Sequence, residues 1–125
     1  MILDTNALSA WADGTAAIGA ALSSAGRLVL PAVALGEYLF GILQSRHRQR
    51  YEDWLTANLP TVDLAIVGYR TAREYAKIRL ELKQRATPIP ANDAWIAALA
   101  RQYVLPILSN DTHFDAVPGI QRISF

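Results

Sequence analysis

Four acidic residues of this sequence stand alone in otherwise apolar stretches. Asp4 directly follows Met1-Ile2-Leu3, and Glu37 is the only charged residue between Leu28 and Gln44. The other two acids, Asp93 and Asp111, also adjoin apolar stretches of the chain. Carboxylates are rarely buried without a partner, and no Lys or Arg lies close to these four in sequence. Their apolar surroundings therefore predict that the four acids form one functional site and are not four unrelated surface charges.

A divalent cation is the partner that best explains this pattern. If the four carboxylates converge, their mutual repulsion needs a positive charge. Oxygen ligands favour a hard cation, Mg²⁺ or Mn²⁺, whereas two His and no Cys make a zinc site a poor match. Taken singly, Asp4 could be a helix N-cap, Asp93 a first-turn acid and Asp111 a turn residue. Glu37 has no such explanation, and a structural role would have to hold for all four at once.

The elements that must position these acids follow from the hydrophobic pattern. Short apolar runs predict strands over residues 2–3, 28–30, 61–63, 106–109 and 122–125. Helical patterns lie between them, over residues 8–11, 16–25, 31–44, 46–58, 67–85 and from a cap at Asn92 to 103. This alternation predicts an α/β fold of three layers, with a four- to five-stranded, mainly parallel sheet flanked by helices.

This arrangement places the acids at one edge of the sheet. Asp4 and Asp111 follow two of the predicted strands, and ligands of parallel sheets bind at the carboxyl ends of strands. Asp93 lies at a helix N-terminus, where the helix dipole favours an anion. Glu37 lies one to two turns into its helix. The sequence thus predicts that the four acids meet.

The composition of the chain limits its domain number and excludes several classes of protein. The chain has 125 residues, of which 52% are hydrophobic, and this predicts a single domain over residues 1–125. The absence of cysteine excludes disulfides and Cys-ligated metals. No signal-peptide pattern occurs at the N-terminus, and no apolar run reaches the ~20 residues that span a bilayer. We therefore expect a cytoplasmic protein with no membrane contact.

The same residues resemble the PIN-domain family and, within it, the VapC-type toxins of bacterial toxin–antitoxin pairs. The matching segments extend over nearly the whole chain. They are residues 3–6 (Leu-Asp-Thr-Asn), 35–38 (Leu-Gly-Glu-Tyr) with Gly41, 89–98, 108–115 and 118–120. No single segment is specific, but the ordered set is. Family members usually have a few more residues before the first Asp, so the first strand is short here.

The resemblance implies an endoribonuclease that uses Mg²⁺ or Mn²⁺ to hydrolyse RNA phosphodiesters. It implies metal-binding or catalytic roles for the four acids, which are Asp4, Glu37, Asp93 and Asp111. By the same resemblance Asn6 helps to hold the site, Ser109 hydrogen-bonds a carboxylate or a water, and Asp115 is a further, variable acid of the metal site. The implied partners are an RNA substrate, a cognate antitoxin and a second copy of the chain. The antitoxin would place a basic side chain of its C-terminal arm among the acids.

Other interpretations remain open from sequence. A PIN-like fold could bind RNA or protein without cutting, and a haloacid-dehalogenase-type phosphatase also has an Asp after its first strand. That phosphatase needs Asp-x-Asp, but the second position here is Asn6, and no suitable Lys follows. The basic run at residues 46–50 could contact RNA phosphates or be a solvated helix face. Aromatic residues of unassigned role could be core or line a groove for a partner helix: Trp11, Tyr38, Phe40 and Trp54.

Overall fold

A five-stranded parallel sheet forms the centre of the protein, which a computed structural model describes over all 125 residues. The strands are β1 (Ile2–Leu3), β2 (Val29–Pro31), β3 (Asp63–Ala65), β4 (Ile107–Leu108) and β5 (Arg122–Ile123). Their order in the sheet is β3-β2-β1-β4-β5, and each neighbouring pair is parallel. The predicted α/β fold with a four- to five-stranded, mainly parallel sheet is confirmed.

Six helices flank the sheet, because parallel strands need a long crossover between them. They are α1 (Thr5–Ala12), α2 (Ala16–Ser23), α3 (Ala32–Leu43), α4 (Arg48–Asn58), α5 (Tyr69–Gln84) and α6 (Ala91–Tyr103). Two short 3-10 turns, Leu59–Thr61 and Thr112–Ala116, complete the chain. None of the helices combines the length and the apolar character that crossing a bilayer would require.

The core is built around the central strands and α6. Residues of β1 and β4 are buried to 1% exposure or less, and so are residues 96–100 of α6. Five consecutive buried positions mean that α6 is covered on several sides, which suits its alanine-rich sequence. α6 packs against α5, α3 and β1. This central helix therefore has a fixed position relative to the sheet edge.

Several predicted boundaries differ from the structure; helix α1, for example, begins at Thr5 rather than residue 8. Three of the differences have a local reason. The third strand begins at Asp63 rather than residue 61, because Thr61 belongs to the 3-10 turn and the backbone N–H of Val62 donates to Leu59 O of that turn. Helix α2 ends at Ser23, before Gly26. The prediction that Asn92 caps α6 is wrong: Pro90 holds the N-cap position with extended backbone, and Asn92 lies inside the first turn.

The aromatic residues of unassigned role divide into two groups. Trp11 and Trp54 pack edge to face with ring centroids 5.0 Å apart, and Tyr38 is buried nearby, 6.5 Å from Trp54. These three join α1, α3 and α4. Phe40 is different, with 68% of its surface exposed.

Candidate active site

The centre of the site is the junction between β1 and β4. Leu3 pairs with Leu108 at the ends of these neighbouring strands, so the residues that follow them meet at the carboxyl edge of the sheet. Ser109 Oγ donates to Asp4 Oδ2 over 2.6 Å. Asp4 is only 5% exposed, and it occupies the N-cap position of α1 without a side-chain capping bond. Its carboxylate is therefore held mainly by Ser109, with a further contact to the backbone N–H of Thr5 at the start of α1.

Asn6 and Ser109 form a hydrogen-bonded support around Asp4. Asn6 Nδ2 donates to Asp4 Oδ2 and to Ser109 Oγ, each over 3.0 Å. Ser109 Oγ also accepts from the backbone N–H of Asp111 over 2.9 Å, and Asn6 Oδ1 accepts from the N–H of Asn110 over 3.2 Å. The two residues thus connect the start of α1 to the segment after β4. This geometry is compatible with the supporting roles that the resemblance predicts for both.

Glu37 and Asp93 reach the same edge from two helices that pack together. Glu37 lies in the second turn of α3, and Asp93 lies in the first turn of α6. Glu37 Oε1 is buried and has no hydrogen-bond partner. The Asp93 side chain is 14% exposed. Both carboxylates are therefore poorly hydrated, as the sequence predicted from their apolar surroundings.

Electrostatics shows that the carboxylates influence one another. Burial raises the pKa of Asp4, Glu37 and Asp93 above the usual range of carboxyl groups. Neighbouring acids add to this effect: Asp111 acts on Asp4, Asp4 and Asp93 act on Glu37, and Asp111 and Asp4 act on Asp93. Hydrogen bonds, mainly from Ser109 to Asp4, oppose the increase. Glu37, Asp93 and Asp111 line one cleft. Asp4 lies next to it, because Ser109 Oγ contacts both the Asp4 carboxylate and the backbone N–H of Asp111.

His113 belongs to this group, although its sequence context did not predict this. Its Nδ1 lies 3.2 Å from Asp93 Oδ2 and 3.0 Å from Asp111 Oδ1. The Asp111 carboxylate, followed by that of Asp93, raises the pKa of His113. Asp111 also accepts the His113 backbone N–H over 2.9 Å, which fixes the 3-10 turn. The only sequence feature that could have indicated His113 is its position two residues after the isolated acid Asp111. The 3-10 turn is what directs the His113 ring towards Asp93.

The donor set fits a divalent cation. Ligand atoms of Asp93, Asp111 and His113 lie within 4.8 Å of one another. Glu37 Oε1 adds a buried oxygen that no protein group satisfies. Several carboxylates that disfavour their charged form would be stabilised by a positive ion in their midst.

Asp115 does not join the group, contrary to the sequence-based expectation for the metal site. Its two carboxylate oxygens accept from Arg122 Nε and Nη2 over 2.8 and 2.9 Å. This pair lowers the pKa of Asp115. Arg122 also donates to the backbone carbonyl of Ser109 over 3.2 Å. Asp115 is therefore engaged in tying β5 to the end of β4.

Comparison with known proteins gives a consistent family. The model of the PIN domain family matches residues 1–120. Ribonuclease VapC5 of Mycobacterium tuberculosis is 28% identical over 124 residues, which cover 98% of this chain and 90% of that protein.

Solved structures share the fold over nearly the full length. The chain of VapBC2 from Rickettsia felis, crystallised with a DNA fragment from its promoter, superposes with a TM-score of 0.89 at 19% identity, covering 98% of this chain and 96% of that one. VapBC-5 from Mycobacterium tuberculosis, a member of the VapBC family of toxin–antitoxin systems, gives a TM-score of 0.79 at 25% identity, with 99% and 97% coverage. The likeness to the Rickettsia protein shows the fold alone.

Proposed function

Because this chain belongs to the PIN-domain family, we propose that it is a metal-dependent endoribonuclease and the toxin of a toxin–antitoxin pair. The observation that carries this proposal is geometric: Glu37, Asp93 and Asp111 line one cleft. Asp4 adjoins it through Ser109, whose hydroxyl contacts both the Asp4 carboxylate and the backbone N–H of Asp111. The ribonuclease name of a relative aligned over 98% of the chain supports the activity. The family match also removes the haloacid-dehalogenase alternative.

The four acids would hold Mg²⁺ or Mn²⁺, with His113 beside Asp93 and Asp111 as a further donor. When bound, such a cation supplies a Lewis acid for the phosphoryl oxygen and lowers the pKa of a bound water. The other roles in the reaction belong to side chains of the protein. Asn6 and Ser109 fix the direction of the Asp4 carboxylate. Glu37 has a carboxylate oxygen, Oε1, that no protein group satisfies, and it is available to orient the attacking water.

The proposed partners follow from the same site. A cognate antitoxin is supported by the similarity to a structure from the VapBC family of toxin–antitoxin systems. A basic side chain of that antitoxin would neutralise the acids in place of the metal and so block cleavage. The other proposed partners, an RNA substrate and a second copy of the chain, are those that the resemblance to the PIN-domain family implies.

The direct test is RNA cleavage by the purified chain, with total cellular RNA as substrate. Cleavage should require Mg²⁺ or Mn²⁺ and should stop in excess EDTA, because carboxylates alone supply no electrophile. Asp93→Asn should abolish cleavage. The matched control is Asp63→Asn, which changes an exposed acid paired with Arg27 at the far edge strand and should leave cleavage intact. Full activity in EDTA would contradict the mechanism, and no cleavage with either metal would favour a binding module.

A further inference from the structure

The Arg122 side chain joins the edge strand β5 to two parts of the segment that follows β4. Its Nε and Nη2 donate to the two carboxylate oxygens of Asp115 over 2.8 and 2.9 Å. Its Nη1 donates to the backbone carbonyl of Ser109 over 3.2 Å. The Arg122 side chain is only 18% exposed. All three guanidinium nitrogens are therefore engaged, and this planar group is held in one orientation.

Ser109 is fixed on both sides of its backbone by residues of β5. Its N–H donates to the carbonyl of Ile123 over 2.9 Å, and its own carbonyl accepts from Arg122. Between these two anchors, the Ser109 hydroxyl donates to Asp4 and accepts from the backbone N–H of Asp111. Because the Ser109 side chain turns with its backbone, the contact with Arg122 helps to set the direction of this hydroxyl.

Asp115 connects the same guanidinium to the turn that follows Asp111. Asp111 precedes the 3-10 turn Thr112–Ala116, and Asp115 lies within it. The Asp115 side chain is 52% exposed, and both of its oxygens accept from Arg122. Asp115 does not line the cleft that contains Asp111. The position of the turn relative to Ser109 is therefore fixed through Arg122, which contacts both.

The charge of Arg122 allows a positioning role to be separated from an electrostatic one. Hydrogen bonding to Asp115, with a smaller contribution from the charge of Asp111, raises the pKa of Arg122. The guanidinium is thus within electrostatic reach of the acidic cleft, where a positive charge opposes the binding of a cation. If Arg122 acted by its charge alone, removing it would strengthen metal binding. If it positions Ser109, removing it weakens metal binding.

We propose that Arg122 is a positioning residue of the metal centre, and that Asp115 acts on the metal only by holding Arg122. The inference rests on the proposed nuclease function. It gives Asp115 a different role from the metal ligand that the family resemblance implies. The guanidinium holds the Ser109 carbonyl, and the Ser109 hydroxyl in turn holds the Asp4 carboxylate and the N–H of Asp111.

Arg122→Gln is the first test, because Gln is neutral and too short to make both contacts. The measurement is calorimetric titration with Mn²⁺. We expect the variant to bind Mn²⁺ about tenfold more weakly than the wild type, the lower end of the range for residues that orient metal ligands. Equal or tighter binding would overturn the proposal. The matched control is Arg27→Gln, which breaks an exposed ion pair with Asp63 (Nε–Oδ2 2.7 Å) at the far edge strand and should leave the affinity unchanged.

Asp115→Ala and the double variant test how Asp115 acts. Asp115→Ala should weaken Mn²⁺ binding, because Arg122 loses the carboxylate that holds it. The double variant should bind Mn²⁺ no more weakly than Arg122→Gln alone, since residues that act through one contact are not additive. A metal ligand at Asp115 would give a loss in Asp115→Ala and none in Arg122→Gln. That result, or a double variant in which the two losses multiply, would overturn the proposal.

The metal-free protein provides a measurement that does not depend on an ion. In EDTA, the backbone N–H of Asp111, which donates to Ser109 Oγ, should exchange with deuterium about tenfold faster in Arg122→Gln than in the wild type. The internal reference is the N–H of Asp63, which donates to the Leu28 carbonyl over 2.9 Å at the far edge strand and should exchange at an unchanged rate. Equal acceleration at both amides would mean a general loss of stability and would contradict the positioning role.

Arg122→Lys covers the case in which Arg122→Gln does not fold. Lys keeps the positive charge, but one ammonium group cannot reproduce the fork that reaches Asp115 and Ser109 together. The Lys variant should therefore still bind Mn²⁺ about threefold more weakly than the wild type. Wild-type affinity in this variant would overturn the proposal.

The outcomes also separate this inference from the function on which it rests. A wild type that binds Mn²⁺ but cuts no RNA would contradict the nuclease proposal, while the change in Mn²⁺ affinity would still decide the role of Arg122. A wild type that cuts RNA with Mn²⁺, together with unchanged Mn²⁺ affinity in Arg122→Gln, would leave the nuclease intact and overturn the positioning role.

Discussion

At the scale of single residues, Asp4 shows how a buried carboxylate is kept in place. It lies directly after the central strand β1 and accepts hydrogen bonds from Ser109 and Asn6. Even so, burial keeps its pKa raised. The network therefore positions the charge without fully compensating it, and this leaves Asp4 ready to bind a cation.

Ser109→Ala should damage both the scaffold and the site. Ser109 is fully buried, and its hydroxyl serves Asp4, Asn6 and the backbone N–H of Asp111. Removing the hydroxyl leaves buried polar groups unpaired, so we expect a loss of about 1–3 kcal/mol in the free energy of unfolding. Urea unfolding in EDTA measures this loss, and Mn²⁺ titration should show weaker binding. Ser109→Thr keeps the hydroxyl and should retain more metal affinity; equal behaviour of the Ala variant and the wild type would contradict the role.

Asp93→Asn should remove a repulsion that depends on pH. A carboxyl group whose pKa is raised on folding destabilises the charged, metal-free protein. This effect is absent below the unfolded pKa of ~4 and grows as pH rises through the folded value. In EDTA at neutral pH the variant should therefore melt at the same temperature as the wild type or higher, and its advantage should vanish near pH ~4.

The contact between Asp93 and His113 does not change this expectation, because His113 is half exposed and such pairs contribute little. Thermal melting of both proteins across the pH range is the measurement. A variant that melts earlier than the wild type in EDTA at neutral pH and still cuts RNA would make Asp93 a structural residue.

At the scale of elements, α6 has two functions. Its alanine-rich middle is buried, and its first turn presents Asp93 to the site. Pro90 occupies the N-cap position just before the helix, where its missing N–H would have no helical partner anyway. The packing of α6 against β1 and α3 thereby sets the distance from Asp93 to Asp4 and Glu37.

The end of α6 contains a strained residue that can be relieved. Val104 has left-handed backbone, with φ 54° and ψ 50°, and is 86% exposed. A side chain with a Cβ is disfavoured there, so Val104→Gly should stabilise the protein by about 1 kcal/mol after the greater chain entropy of glycine is subtracted. Urea unfolding checks this. Val104→Ala keeps the Cβ and should gain less; a Gly variant that is less stable than the wild type would contradict the expectation.

At the scale of the whole molecule, the order of the sheet creates the site. β1 and β4 are neighbours although more than one hundred residues separate Asp4 from Ser109. Helices α3 and α6 add their acids over the same edge. Four regions of the chain must therefore fold before the charges meet, and metal binding should stabilise the native state as a whole.

Mn²⁺ should raise the stability of the wild type by ~2.7 kcal/mol at a hundredfold excess over its dissociation constant. The gain arises because the unfolded chain does not bring the four acids together. Asp93→Asn should gain much less at the same concentration, since one carboxylate has been removed. Chemical unfolding with Mn²⁺ and with EDTA provides the four values; equal gains in both proteins would mean that the ion binds elsewhere.

The sequence by itself determined the fold class and singled out the four acids of the proposed site. Strands are recognisable as short apolar runs, and the helices between them require parallel pairing. Glu37 and its three companions are recognisable because a lone charge within an apolar stretch is unfavourable unless it has a function. These signals depend on local composition and order, so they are visible without coordinates.

Tertiary structure alone decided which neighbours joined those acids. His113 enters the group and Asp115 leaves it for Arg122, because a 3-10 turn sets the direction of both side chains. The aromatic cluster of Trp11, Tyr38 and Trp54 likewise exists only because α1, α3 and α4 pack side by side. Distances between residues far apart in the chain depend on how the helices pack on the sheet, and no local pattern in the sequence encodes them.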